Sequence, residues 1–175
     1  MKSNTVYEFN FGLYTIYTSI LIIFLSSILV SLFQFPTAIA QDSSVDISNL
    51  YNKGVSLFNA GNYTGAIKYY DSNLVINPDD VNALNNKGVA LNSLGNHNEA
   101  IKSYDKALAI NPLDTKVLYN KGVALNSLGN YTGAIKYYDK ALAINPNDVN
   151  TLNNKGAALN SLGNSTGAIK YYDKD

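Results

Sequence analysis

An all-α fold, an α-solenoid of stacked antiparallel helix pairs, is predicted by three features of this sequence. A 34-residue unit recurs almost four times from Ile47 to Asp175: Gly61, Gly95, Gly129 and Gly163 stand 34 apart, as do Gly54, Gly88, Gly122 and Gly156, and Pro78, Pro112 and Pro146. Residues 81–114 and 115–148 are identical at 25 of 34 positions. Within each unit, apolar and small residues recur every three or four positions, the signature of one helix face, in two stretches parted by a glycine. A unit of this length cannot bury its apolar face alone and must stack on copies of itself.

The spacing sets four copies, at 47–80, 81–114, 115–148 and 149–175, the last of them incomplete. Ahead of them the text changes. No charge occurs between Phe9 and Gln41, and the stretch from Ile16 to Phe33 is mostly apolar. As a helix that stretch spans roughly 27 Å at about 1.5 Å per residue, enough to cross most of a bilayer core. Pro36 and the small-residue pattern Ala38-Ile39-Ala40 follow, and such a pattern marks a signal-peptide cleavage site. Residues 1–40 are therefore read either as a signal peptide cleaved after Ala40 or as a retained N-terminal transmembrane anchor, a hydrophobic helix separate from the array. Lys2 and the amino terminus favour an inside N-terminus, so both readings put the repeats outside the cytoplasm. Residues 41–46 are a short polar spacer.

In the copy running from Val81 to Asp114, Leu84, Gly88, Leu91 and Leu94 mark the packed face of a first helix. Gly95 suits the left-handed turn that closes it, and Asn96 is placed to cap the next helix. That second helix carries Ala100, Ile101, Tyr104, Ala107 and Leu108 inward. Asn111-Pro112 ends it, because the residue before a proline is pushed out of helical geometry.

These residues resemble the tetratricopeptide repeat. The second copy supplies Leu84, Gly88, Leu91, Ala100, Tyr104, Ala107 and Pro112, and the third Leu118, Gly122, Leu125, Ala134, Tyr138, Ala141 and Pro146. The first gives Leu50, Gly54, Leu57, Ala66, Tyr70 and Pro78, with Asn73 in place of the second alanine; the fourth gives Leu152, Gly156, Leu159, Ala168 and Tyr172. Three features need separate comment. Lys53, Lys87, Lys121 and Lys155 stand where the family more often has leucine, and are expected to form a solvated stripe with only their stems on apolar surface. Gly65, Gly133 and Gly167 stand inside the second helix where Glu99 keeps the family's habit, each at a cost of ~1 kcal/mol relative to alanine. Lys68, Lys102, Lys136 and Lys170 each precede an aspartate by three (Asp71, Asp105, Asp139, Asp173) and are expected to make exposed pairs of little energetic weight.

The resemblance implies that the first helices line a concave groove. Asn52, Asn86, Asn120 and Asn154 recur at one groove position, and an amide ladder of this kind offers both donors and acceptors to the backbone of an extended peptide. Tyr51, Asn85, Tyr119 and Asn153 adjoin it, and Asn92 and Asn126 continue a neutral, amide-rich wall. The basic clamp with which some family members hold an acidic C-terminus needs several cations on this wall; only Lys116 fits, so a chaperone tail is not the expected ligand.

Sequons open at Asn62, Asn130 and Asn164, all at the turn between the paired helices, and are glycosylation candidates in an exported chain. The structural alternative is that each asparagine caps its helix, which would also account for Asn96 in the copy without a sequon.

Several function classes are excluded. Lysine supplies all 13 cationic residues against 13 acidic ones; without arginine's fork or a basic field, nucleic acid is not an expected partner. Cysteine is absent and His97 is the single histidine, at a position held by Tyr63 and Tyr131 in sister copies, so it reads as a substituted aromatic. No metal site, cofactor or catalytic constellation is indicated. The expected function is that of an exported or membrane-tethered scaffold binding a peptide or protein segment in its groove. Two alternatives stay open. One is a self-associating surface array, a homo-oligomer formed through exposed Ala168, Ile169 and Tyr172 of the incomplete copy. The other is an accessory or substrate-recruiting domain of a larger enzyme or assembly machine.

Overall fold

A computed structural model describes residues 47–172. The signal or anchor segment 1–40 with its Ala40 site, the spacer 41–46 and Asp173 lie outside the described residues. Eight helices follow one another: α1 (47–59), α2 (Tyr63–Ile76), α3 (Val81–Ser93), α4 (His97–Ile110), α5 (Thr115–Ser127), α6 (Tyr131–Ile144), α7 (Val149–Ser161) and α8 (Ser165–Tyr172). Among the described residues none is long and apolar enough to cross a membrane.

Local chemistry sets the boundaries. Asp80 opens α3 by accepting from the backbone N–H groups of Asn82 and Ala83, both at 3.0 Å, and Asp114 does the same for α5. Such caps satisfy donors that the first turn leaves orphaned. At the other end of α3, Gly95 takes a φ of +80°, which lets Asn96 N–H reach back to the Leu91 carbonyl at 2.9 Å and Gly95 N–H to that of Asn92 at 3.0 Å. This is the glycine-closed helix end expected at that position.

The first helices of successive repeats touch one another, α3 with α5 and α5 with α7, whereas among the described elements α4 and α6 do not meet. The array is therefore tighter along the first helices, which form its inner side.

Its core is a string of local clusters. Leu84, Ala100, Tyr104, Ala107, Val117 and Ala124 bring α3, α4 and α5 together, and Ala134, Tyr138 and Ala158 repeat the arrangement one unit on. The glycine of the first helix makes this possible: a Cβ at Gly88 would lie 2.4 Å from Tyr104 Cε1. A buried tyrosine removes roughly 150–250 Å² from water, which at about 25 cal/mol/Å² is ~4–6 kcal/mol before entropy is counted. Burial also lifts the Tyr104 and Tyr138 phenols well above the ordinary tyrosine range, because the charged phenolate is poorly solvated there. Ala168 belongs to the buried set and is 2% exposed, so the expectation that it faces solvent is corrected. Ile169 is exposed.

Candidate functional site

The predicted groove residues lie on the first helices, and a ladder of side-chain bonds runs through them from repeat to repeat. Asn86 Nδ2 donates to the Tyr51 hydroxyl at 3.0 Å, Asn120 Nδ2 to Asn85 Oδ1 at 2.9 Å, and Asn154 Nδ2 to the Tyr119 hydroxyl at 2.8 Å. Each bond joins residues 35 apart and so ties one repeat to the one before it. Asn52, in the first repeat, is exposed, and Asn153 is half-buried. Farther along, His97 Nδ1 donates to Asn92 Oδ1 at 2.6 Å, whereas the sister Asn126 Oδ1 is buried without a partner. The difference follows from the residue five positions on, His97 in one repeat and Tyr131 in the next. Lys116 lines a hollow of about 320 Å³ with Tyr119, Asn145, Asp148 and Asn150.

On the flank away from these amides a second ladder appears that the sequence reading missed. Lys87 pairs with Asp71 at 2.5 Å, Lys121 with Asp105, and Lys155 with Asp139 at 2.5 Å. Every pair crosses a repeat boundary. Lys121 and Lys155 also donate to the Tyr137 and Tyr171 hydroxyls, each at 2.6 Å, and sit 4.1 Å from the ring centroids. Their side chains are 7% and 11% exposed, which corrects the expectation of a solvated stripe for these two lysines, whereas Lys53 is exposed and Lys87 half-buried. Burial alone opposes the charge, but the bonds to aspartate and tyrosine outweigh it and raise both pKa values. The expected i,i+3 pairing of Lys102 with Asp105 is corrected too: Asp105 is taken by Lys121, and Lys102 approaches Glu99 at 3.4 Å. A spacing of 16 from aspartate to lysine, repeated three times, is the signal that would have found the ladder.

The sequon asparagines cap their helices. Asn62, Asn130 and Asn164 each accept through Oδ1 from the N–H of Gly65, Gly133 and Gly167 at 2.9 Å. Asn96 makes no such bond, so the expectation that it caps its helix regardless of a sequon is corrected. The helical glycines supply the reason. A Cβ at Gly133 would lie 2.8 Å from Asn130 Oδ1, and repeat two has Glu99 at that position.

These features define a class: a stack of helical hairpins held in register by polar ladders, with the first helices of successive repeats in contact. Sequence profiles described as tetratricopeptide repeat match residues 81–113 and 115–148, 137–170, and 48–72. The chain belongs to the tetratricopeptide repeat family. Its structure is similar to a crystal structure of MamA, with a TM-score of 0.71, 22% identity and coverage of 79% of this chain and 81% of that one. A MamA fragment from Desulfovibrio magneticus RS-1 gives 0.70, 23%, 73% and 72% for the same quantities. The first TPR of Spaghetti (RPAP3), solved bound to the HSP90 peptide SRMEEVD, gives 0.66, 26%, 69% and 95%. Curated protein sequences returned no match.

Proposed function

We propose that this protein is an exported or membrane-tethered interaction scaffold that holds an extended peptide or protein segment along the inner side of α1, α3, α5 and α7. The observation that carries the reading is the run of amides at one-repeat intervals on helices that contact each other along that side. Asn86, Asn120 and Asn154 each spend one N–H within the array, and Asn86 Oδ1 accepts from Asn85 Nδ2 at 3.4 Å. The second N–H of each amide and the remaining carbonyl capacity offer a ligand's backbone both donors and acceptors. The similar Spaghetti repeat domain is bound to a peptide, which supports peptide capture as the mode. Export is supported by the uncharged apolar stretch from Ile16 to Phe33 and by Ala38-Ile39-Ala40.

A photo-crosslinking side chain at Asn153, compared with one at exposed Lys136 on α6, tests the groove on intact cells. A discrete conjugate from Asn153, absent from Lys136 and lost on Asn86→Ala plus Asn120→Ala with the circular dichroism spectrum unchanged, is the expected result. Equal yield from both positions, or an undiminished conjugate in the double variant, refutes it. The intact mass of the native protein reads the mature N-terminus in the same sample; recovery only from the cytoplasm overturns export.

A further inference from the structure

The lysine–tyrosine ladder has a missing rung. At the position of Tyr69, Tyr137 and Tyr171, repeat two carries Ser103. Its hydroxyl turns back to the Glu99 carbonyl at 3.1 Å, and Ser103, itself buried, lines a hollow beside Lys87. Lys87, which lines that space, is 27% exposed, against 7% and 11% for Lys121 and Lys155, which bond Tyr137 and Tyr171; Lys53 of the first repeat is exposed although Tyr69 is present. Lys87 keeps its aspartate, Asp71. The cation is thus held in place with its phenol partner removed.

Beside it lies this hollow, a pocket of about 710 Å³ between α2, α3 and α4, lined by apolar Leu74, Leu84 and Leu91 and by polar or charged Asp71, Lys87, Glu99, Lys102, Ser103 and Lys106. Two further departures from the repeat fall on its lining. Val75 replaces the alanine found at Ala109 and Ala143 and is 82% exposed, and Glu99 replaces the glycine of the other copies. Three substitutions in one unit and its neighbour converge on one hollow. Its volume falls within the range of about 300–1,000 Å³ usual for ligand sites and exceeds what one ring needs, leaving room for the chain that bears the ring.

We propose that this pocket, apart from the inner amide wall, receives a tyrosine side chain of a partner protein, its ring against Leu74 and Leu84 and its hydroxyl on Lys87 Nζ. The template is internal: Tyr137 and Tyr171 show the same ring, hydroxyl and lysine meeting where the chain supplies its own tyrosine. Val75 offers the partner's flanking residues an apolar contact at the rim. Phenylalanine fits the walls and lacks the hydroxyl, so it is the discriminating competitor.

The test uses the full chain, isotope-labelled, titrated with N-acetyltyrosinamide and separately with N-acetylphenylalaninamide. Saturable shifts at Ser103, Leu74 and Lys87, at least about fivefold tighter for tyrosine, are expected, and Ser103→Tyr, which fills the pocket from within, should abolish them. Linear, unsaturable shifts overturn the proposal. So does a response that persists in folded Ser103→Tyr, or one that appears at Asn120 and Asn154 instead. Lys87→Met supplies an independent reading: it should erase the preference for tyrosine over phenylalanine, and a preserved preference overturns the role of Lys87 even if Ser103→Tyr fails to fold.

Discussion

Placing the same methyl group at two glycines of one repeat should have opposite consequences. At Gly122 a Cβ would lie 2.4 Å from Cε1, 2.7 Å from Cδ1 and 3.0 Å from Cζ of Tyr138, a ring with no exposed surface. Overpacking of this kind costs about 1–3 kcal/mol, and the ring has nowhere to move, so the upper end applies. Replacing glycine by alanine in a helix returns ~1 kcal/mol. The net expectation for Gly122→Ala is a loss of about 2 kcal/mol. At Gly133 the added carbon meets the side chain of Asn130, which is exposed and can swing away. What is lost there is a helix cap, about 1 kcal/mol, against the same gain of ~1 kcal/mol, so Gly133→Ala should be close to neutral. In an Asn130→Ala background nothing remains to collide, and Gly133→Ala should then stabilise by ~1 kcal/mol. Urea unfolding followed by far-UV circular dichroism, with slopes compared across variants, reads the four variants against the unchanged chain. Equal stabilisation by Gly133→Ala in both backgrounds refutes the cap argument. A raised midpoint for Gly122→Ala refutes the packing argument.

Two further outcomes follow from the buried groups. The phenols of Tyr104 and Tyr138 and the ammonium groups of Lys121 and Lys155 all titrate higher in the folded chain than in the unfolded one. The folded state therefore holds more protons above about pH 10, and stability should be level between about pH 7 and pH 9 and then fall with rising pH; a urea midpoint that holds or climbs beyond about pH 10.5 contradicts this. Asp105→Ala strips a nearly buried lysine of its ion-pair partner and should cost about 1–2 kcal/mol, whereas Asp71→Ala, whose lysine is still wetted, should cost only ~0.5 kcal/mol. Thermal unfolding of the two variants decides the order, and equal losses would mean that burial does not grade the pairs.

The helices and their ends were legible because each is fixed by residues close in sequence: Gly95 closes α3, Pro112 ends α4, Asp80 and Asp114 open the helices after them. Partners across a repeat boundary were not. Three-residue spacing on α4 draws Lys102 toward Asp105, yet stacking brings Lys121 nearer, and nothing within a single helix reports that. The glycines at 65, 133 and 167 look like wasted helix propensity until the capping asparagines are seen folded over them. Asn96 was misread for the same reason, since what decides its cap is the bulk of residue 99. The first-helix asparagines stand out as a set by their 34-residue recurrence, but their bonds to Tyr51, Asn85 and Tyr119 depend on how neighbouring units lean together.

The polar rungs between units have a further consequence for how such a chain can change. Every lysine–aspartate rung joins a residue to one sixteen positions earlier through the same atoms, and every amide rung spans the same 35 positions with a tyrosine hydroxyl or an asparagine oxygen as acceptor, so an extra unit spliced between two others would find both neighbours already complementary. Gain or loss of whole units can therefore lengthen or shorten the inner wall by set increments with no new contact to be invented. Insertion of another length within a helix would instead carry each lysine out of register with its aspartate.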